Sequence, residues 1–220
     1  PSIGIDFGGT SIKMGVVKGA EVIAHAPSIA TQEYGNPDQL IEAIAQFVNM
    51  LRLNHPEVQA IGMGMPGFVN FYQGTVYTLT NVPGWNNVPV RDMLQAACGL
   101  PVYVENDANC AALAEYYAGA GQGSKRFVTI TLGTGIGAGI IHNGKIFHGG
   151  NGMAGEVGHT CIDYQGLPCP CGRRGCWEQY ASASALKRFT AQAQLGNPDS
   201  ILARVIRGPV SYTHLRAHET

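Results

Sequence analysis

One short pattern occurs twice in this chain and constrains its fold more than any other feature. Ile3-Gly4-Ile5-Asp6-Phe7 reads as a buried strand, Gly8-Gly9-Thr10 as a turn, and Ile12 to Val17 as the returning strand. Lys18 to Glu21 turns the chain again into a third strand, Val22 to Ala26. The second copy runs through Phe127 to Leu132, Gly133-Thr134-Gly135, Ile136 to Ile141, the tight turn Asn143-Gly144, and Lys145 to Phe147. Apolar runs separated by such turns are hairpin meanders. A Walker loop and a dinucleotide fingerprint both need a helix directly after the turn, so neither is present. The repetition predicts an internal duplication of two related domains, each opening on a Gly/Thr hairpin.

Between the copies, strands and helices alternate. Asn36 is placed to cap a helix with Pro37 at its first position. Leu40, Ile41, Ile44, Phe47, Val48 and Leu51 then recur at helical spacing, and Pro56 ends the run. Gln59 to Met65 reads as a strand, Thr75 to Leu79 as a short one, and Asn81 to Trp85 as a loop. Pro89 to Ala97 is a short helix, Pro101 to Val104 a strand ended by Glu105-Asn106-Asp107, and Ala108 to Ala118 an Ala-rich helix. Gln179 to Gln194 and Ser200 to Arg207 are the last predicted helices. The expected division is residues 1–107 and 108–208. Residues 209–220 carry no core periodicity and read as an artefactual tail, outside the fold. The second domain then has no further strands and looks unfinished. The chain begins at Pro1, directly on a strand, which leaves room for an upstream segment.

Composition sets limits on partners. Of 220 residues, 45% are hydrophobic and 13% charged, with a formal net charge of -1. That is enough apolar material for one large or two modest cores. The near-zero charge gives no electrostatic footprint for nucleic acid or an anionic membrane. No apolar run is long enough to span a bilayer, and no secretory signal is visible. The six cysteines fit a reducing cytoplasm.

Three of those cysteines, Cys169, Cys171 and Cys176, fall within eight residues, and His159 lies ten positions before the first. Three thiols and an imidazole suffice for a closed tetrahedral zinc site. The alternatives are three free thiols on a surface loop, or a disulfide with one cysteine left over. Glu156 and Glu178 flank the loop, so closure on a metal would draw them together.

The two Gly/Thr turns suit phosphate. Backbone N–H groups there can approach phosphate oxygens without Cβ obstruction, and Thr hydroxyls add donors. This nominates Gly8, Gly9, Thr10, Gly133, Thr134 and Gly135. Asp6 precedes the first turn and is placed to hold Mg²⁺ through water. Lys13 either pairs with phosphate or extends from its strand into solvent. Asp107 stands where a strand ends and a helix begins. It is either a helix cap or, ionised by the helix N-terminus, a general base for a hydroxyl. Asn106 offers donors to a sugar hydroxyl.

Five segments together resemble the ROK family (repressors, open reading frames and kinases), within the actin/hexokinase-like superfamily. They are Asp6-Phe7-Gly8-Gly9-Thr10, Glu105-Asn106-Asp107-Ala108, Leu132 to Gly137, Gly155-Glu156-Val157-Gly158-His159, and Cys169-x-Cys171-Gly172-x-x-Gly175-Cys176-x-Glu178. The resemblance spans Ile3 to about Arg207. It implies an α/β protein of two duplicated actin-like ATPase (ribonuclease H-like) domains with a cleft between them, the second truncated here. It implies an ATP-dependent hexose kinase, Asp107 deprotonating the acceptor hydroxyl. Asn81, Asn106, Glu156, His159 and Glu178 would bind the sugar, and His159, Cys169, Cys171 and Cys176 would bind zinc. Asn81-x-x-Gly84-Trp85 resembles the glucokinase branch, although N-acetylhexosamine kinases share much of it. The resemblance also implies a homodimer or homotetramer. Family members run longer, which predicts weak or no activity for a chain ending here. Two other readings remain: a sugar-sensing repressor, for which no DNA-binding segment precedes the first strand, and a zinc-binding interaction module, which has no use for two phosphate turns.

Overall fold

The structure is a computed structural model that describes residues 1–79 and 82–196. Asn81, the predicted helix Ser200–Arg207 and the predicted tail lie outside those residues. The chain divides into two compact units, one of residues 1–131 with 137–156, the other of residues 132–136 with the chain from Val157 onward.

The first unit is built on a six-stranded sheet. β1 (Ser2–Phe7), β2 (Ser11–Lys18) and β3 (Glu21–His25) form the antiparallel meander the sequence predicts, and β4 (Ile29–Ala30) adds to β2. β5 (Ile61–Met65) and β9 (Val102–Asn106) continue the sheet as parallel strands, giving the order β3-β2-β1-β5-β9. Parallel neighbours need crossovers, supplied by α1 (Pro37–Asn54) and α2 (Val90–Cys98). α1 starts as expected: Asn36 Oδ1 accepts from Gln39 N–H at 3.0 Å, with Pro37 in the first turn. Its apolar face, including Leu40, Ile44 and Val48, packs into one core with Ile3, Ile5 and Phe7 of β1 and Ile61 and Met63 of β5. Burial of each such side chain stabilises by about 1.5–3 kcal/mol. Phe7 meets Trp85 edge-on, centroids 5.3 Å apart.

A small antiparallel sheet, β6 (Val69–Asn70), β7 (Thr75–Thr78) and β8 (Asn86–Val88), is only partly visible in sequence. Its flanking strands have two and three residues, too few for an alternating pattern to register. α3 (Asp107–Ala118) follows β9 directly.

β10 (Arg126–Leu132), β11 (Ile136–His142) and β12 (Lys145–Ile146) form a separate sheet in the order β10-β11-β12, the same meander as β3-β2-β1. The sequence predicts one helix over Gln179–Gln194, but two are present, α4 (Glu178–Ala181) and α5 (Ala183–Gly196). Ser182 separates them with an extended backbone, and its Oγ accepts from Ala185 N–H at 3.1 Å. Ser is a poor helix-interior residue and a good cap, so the break is local chemistry overriding apolar periodicity.

Candidate functional site

In the first unit, the parallel strands end at one level. Asp6 of β1 lies opposite Gly64 of β5, and Gly64 lies opposite Glu105 of β9. The carboxyl ends of parallel strands are where α/β sheets place ligands. Lys13 is the cross-strand partner of Asp6 on β2, and both are exposed. The Gly8-Gly9-Thr10 turn is closed by Gly8 N–H donating to Ser11 O at 3.0 Å. Thr31, fully buried, clamps that turn: its N–H donates to Thr10 O at 3.1 Å and its Oγ1 to Gly9 O at 3.2 Å. Nothing in the sequence marks Thr31 for this task.

Asn106, rather than Asp107, caps α3. Its Oδ1 accepts from Ala108 N–H at 2.9 Å and Asn109 N–H at 3.2 Å, and its Nδ2 donates to Gly67 O at 3.3 Å. Asp107 opens the helix, its Oδ1 accepting from Ala108 N–H at 2.8 Å. The helix N-terminus alone would favour the ionised form. Instead the Asp107 pKa is raised: crowding by protein is the largest cause, outweighing the Ala108 hydrogen bond, and the Asp6 charge adds to it. Asp107 nonetheless stays exposed, so solvent screens much of that penalty.

Asn106 and Glu156, both nominated from sequence, line one cavity of about 270 Å³ with Gly67, Phe68, Tyr77 and Asn109. That volume is close to the ~300 Å³ lower end of small-molecule sites. Gly155 is obligatory beside it, because a Cβ there would strike Ala138 O.

Glu105 organises the cavity wall, a role the sequence does not disclose although Glu105 sits inside a recognised segment. Its Oε1 accepts from Asn106 N–H at 2.8 Å and Asn109 Nδ2 at 2.9 Å, and its Oε2 lies 2.7 Å from His148 Nε2. His148 stacks on Phe71 at 3.6 Å, and its carbonyl accepts from Ala154 N–H, which ties down the loop carrying Asn151 to Glu156. His148→Ala should therefore cost about 1–3 kcal/mol by stranding a largely buried carboxylate oxygen. Denaturant titration measures it, and an unchanged midpoint would remove Glu105–His148 from the structural account.

In the second unit, His159, Cys169, Cys171 and Cys176 bring one ligand atom each to within 4.8 Å of all the others. Cys169 Sγ lies 3.6 Å from His159 Nδ1, and Cys171 Sγ 3.6 Å from Cys176 Sγ. A tetrahedral zinc with bonds of about 2.3 Å sets its sulfurs roughly 3.7 Å apart, so the donors and their spacing fit that ion. The backbone N–H of Arg173 is the main cause holding the Cys171 thiol down to about 6, whereas burial is the main cause pushing Cys176 up to about 12. Gly175 has φ +70°, and a Cβ there would collide with Asp163 O. Glu178 lies beside the cluster, its Oε1 3.6 Å from His159 Nδ1 and 3.4 Å from Cys169 Sγ. The Gly133-Thr134-Gly135 turn belongs to this unit. Gly133 O accepts from Ala183 N–H at 2.9 Å, and Gly135 packs against Glu178.

Two sheets on the same meander, with carboxylates at strand ends in one unit and a three-thiol, one-imidazole loop in the other, make this a mixed α/β protein, and its solved structural neighbours give it the actin-like fold of ROK sugar kinases. Comparison with known proteins makes the assignment specific. The ROK family profile matches residues 2–211, and the chain belongs to that family. It is 43% identical over 198 residues to a glucokinase of Streptomyces coelicolor, covering 90% of this chain and 61% of that protein. It is 33% identical over 206 residues to the xylose repressor of Bacillus subtilis, covering 91% and 53%. A ROK family glucokinase from Streptomyces griseus, solved in complex with glucose and AMPPNP, superposes with a TM-score of 0.76 at 41% identity, over 90% of this chain and 62% of that one. The chain thus spans about three-fifths of the length of the glucokinases it matches. Among the described residues, no helix is long and apolar enough to cross a membrane.

Proposed function

We propose that this chain is the body of an ATP-dependent hexose kinase, with glucose as acceptor. The observation that carries the reading is Asp107, a carboxylate at a strand-to-helix junction that is not needed as the cap. It takes the proton of the acceptor hydroxyl, and its raised pKa brings it nearer the operating pH of a general base. Asn106 and Glu156 hold the sugar from the cavity wall, and His159, Glu178 and Asn81 are proposed as sugar-binding residues from the family resemblance. Gly8, Gly9 and Thr10 are proposed to cradle phosphate oxygens, with Lys13 adding charge, and Gly133, Thr134 and Gly135 are proposed as phosphate-binding from the family resemblance. Asp6 holds Mg²⁺, which supplies charge neutralisation on the phosphates when bound. Zinc, held by His159, Cys169, Cys171 and Cys176, supplies a rigid anchor for the loop that carries His159 and Glu178. The active form is proposed as a homodimer or homotetramer in the cytoplasm, where thiols stay reduced.

Similarity to a repressor over most of the chain supports a second reading, a sugar sensor. Sugar-dependent ADP release by the complete gene product separates the two. Glucose, mannose, fructose, N-acetylglucosamine and N-acetylmannosamine form the panel. Release with glucose is expected. Sugar binding without release from any of the five would favour the sensor, and release only with an N-acetylhexosamine would reassign the acceptor.

A further inference from the structure

A fourth thiol, Cys161, stands beside the cluster of His159, Cys169, Cys171 and Cys176. Cys161 forms an isolated antiparallel bridge with Cys176. The backbone hydrogen bonds around the bridge run from Ile162 N–H to Gly175 O at 2.8 Å and from Trp177 N–H to Thr160 O at 2.9 Å. They bracket the pair without joining it, so Cys161 and Cys176 occupy the closer of the two antiparallel arrangements, with Cα atoms about 4.5 Å apart. Side chains directly opposite in this way share a face. A disulfide needs a Cα separation of roughly 4.4–6.8 Å, which the register satisfies.

The two thiols differ in circumstance. Cys176 is fully buried and belongs to the four-residue cluster; Cys161 is exposed and does not. A metal in the cluster engages Cys169, Cys171 and Cys176 and leaves Cys161 as the accessible sulfur of the loop. We propose that Cys161 and Cys176 are an oxidation-sensitive pair, whose disulfide withdraws Cys176 from the cluster and releases the metal. The oxidant is a peroxide. The Cys161 sulfur attacks one peroxide oxygen, the O–O bond breaks, and Cys161 becomes a sulfenic acid as the first water leaves. The Cys176 sulfur then displaces the second water from Cys161 sulfur, forming the S–S bond. Cys161 enters as a thiol and Cys176 as the metal-bound thiolate, a solvent proton completes the second water, and the pair gives up two electrons as one peroxide becomes two waters. A dithiol reductant reverses the change. Metal release rests on the zinc reading above; the disulfide itself does not.

The test treats the complete gene product, as purified with its metal, with one equivalent of hydrogen peroxide. Zinc is followed with a chromogenic chelator, and disulfides are mapped in non-reduced peptides. The expected result is a Cys161–Cys176 peptide pair appearing in step with zinc, and zinc release at least tenfold slower in Cys161→Ser. Wild-type release from Cys161→Ser, or a disulfide confined to Cys169, Cys171 and Cys176, would overturn the proposal. A Cys161–Cys176 disulfide in a protein that never carried metal would uphold the pair and sink the zinc reading instead.

Discussion

Asp107→Asn is expected to lower sugar-dependent turnover by about 10²–10⁴-fold, the usual contribution of a general base, while sugar affinity stays within a few-fold. The substitution is clean for a structural reason. Asn106 carries the α3 cap, so the helix start does not depend on Asp107. The variant's amide oxygen can still accept from Ala108 N–H as Asp107 Oδ1 does. What is lost is a group able to take a proton. Because the Asp107 pKa is raised, the acid limb of kcat/KM should lie above the ~3.9 of an ordinary aspartate. Asp6→Asn removes a neighbouring negative charge and should move that limb down, whatever it does to the rate itself. The sign for stability follows from the same shift. A raised folded-state pKa gives a contribution present at low pH and lost as pH rises through it, so the charged form is mildly unfavourable at neutrality. Asp107→Asn should thus be no less stable than wild type, the effect small because solvent screens the exposed carboxyl. Unchanged turnover in Asp107→Asn would take the base assignment away.

How far the sequence discloses this arrangement depends on whether the information is local. The two meanders are legible because Gly8-Gly9-Thr10, Gly133-Thr134-Gly135 and Asn143-Gly144 are strong turn signals between apolar runs. The α1 start is legible because Asn36 and Pro37 are adjacent. The cluster of His159, Cys169, Cys171 and Cys176 is legible because its three thiols lie close in sequence. The clamp of Thr31 on the first turn is not, because it joins residues more than twenty positions apart with no distinctive chemistry. Nor is the Glu105–His148–Phe71 stack, which links three separate segments through one carboxylate. Asp107 lies between these cases. Its position is visible in the sequence, but the direction of its pKa is set by crowding from the surrounding protein, with the Asp6 charge adding to it.

Removing the proposed zinc should have the other large effect, confined to the second unit. The segment from Thr160 to Trp177 has two isolated bridges and little else in regular structure. Thr160 to Gln165 are exposed throughout, and Cys169 and Cys176 are among the few buried side chains. A segment with so little apolar burial cannot offset its own ordering entropy, about 1–2 kcal/mol per residue for the backbone alone. Beyond a few backbone hydrogen bonds, the ligand cluster is the main anchor on offer, and structural zinc binding is worth about 10–16 kcal/mol in small metal modules. Cys171→Ser should therefore reduce zinc from one per chain to background by elemental analysis. Amide exchange over Thr160–Trp177 should rise at least a hundredfold, while β1, β5 and β9 of the first unit keep their protection. Sugar binding should fall with it, because Glu178 and His159 share the loop's anchor. A chelator-treated wild type that stays metal-free, protected over Thr160–Trp177 and competent to bind sugar would show that the four side chains hold the loop without an ion.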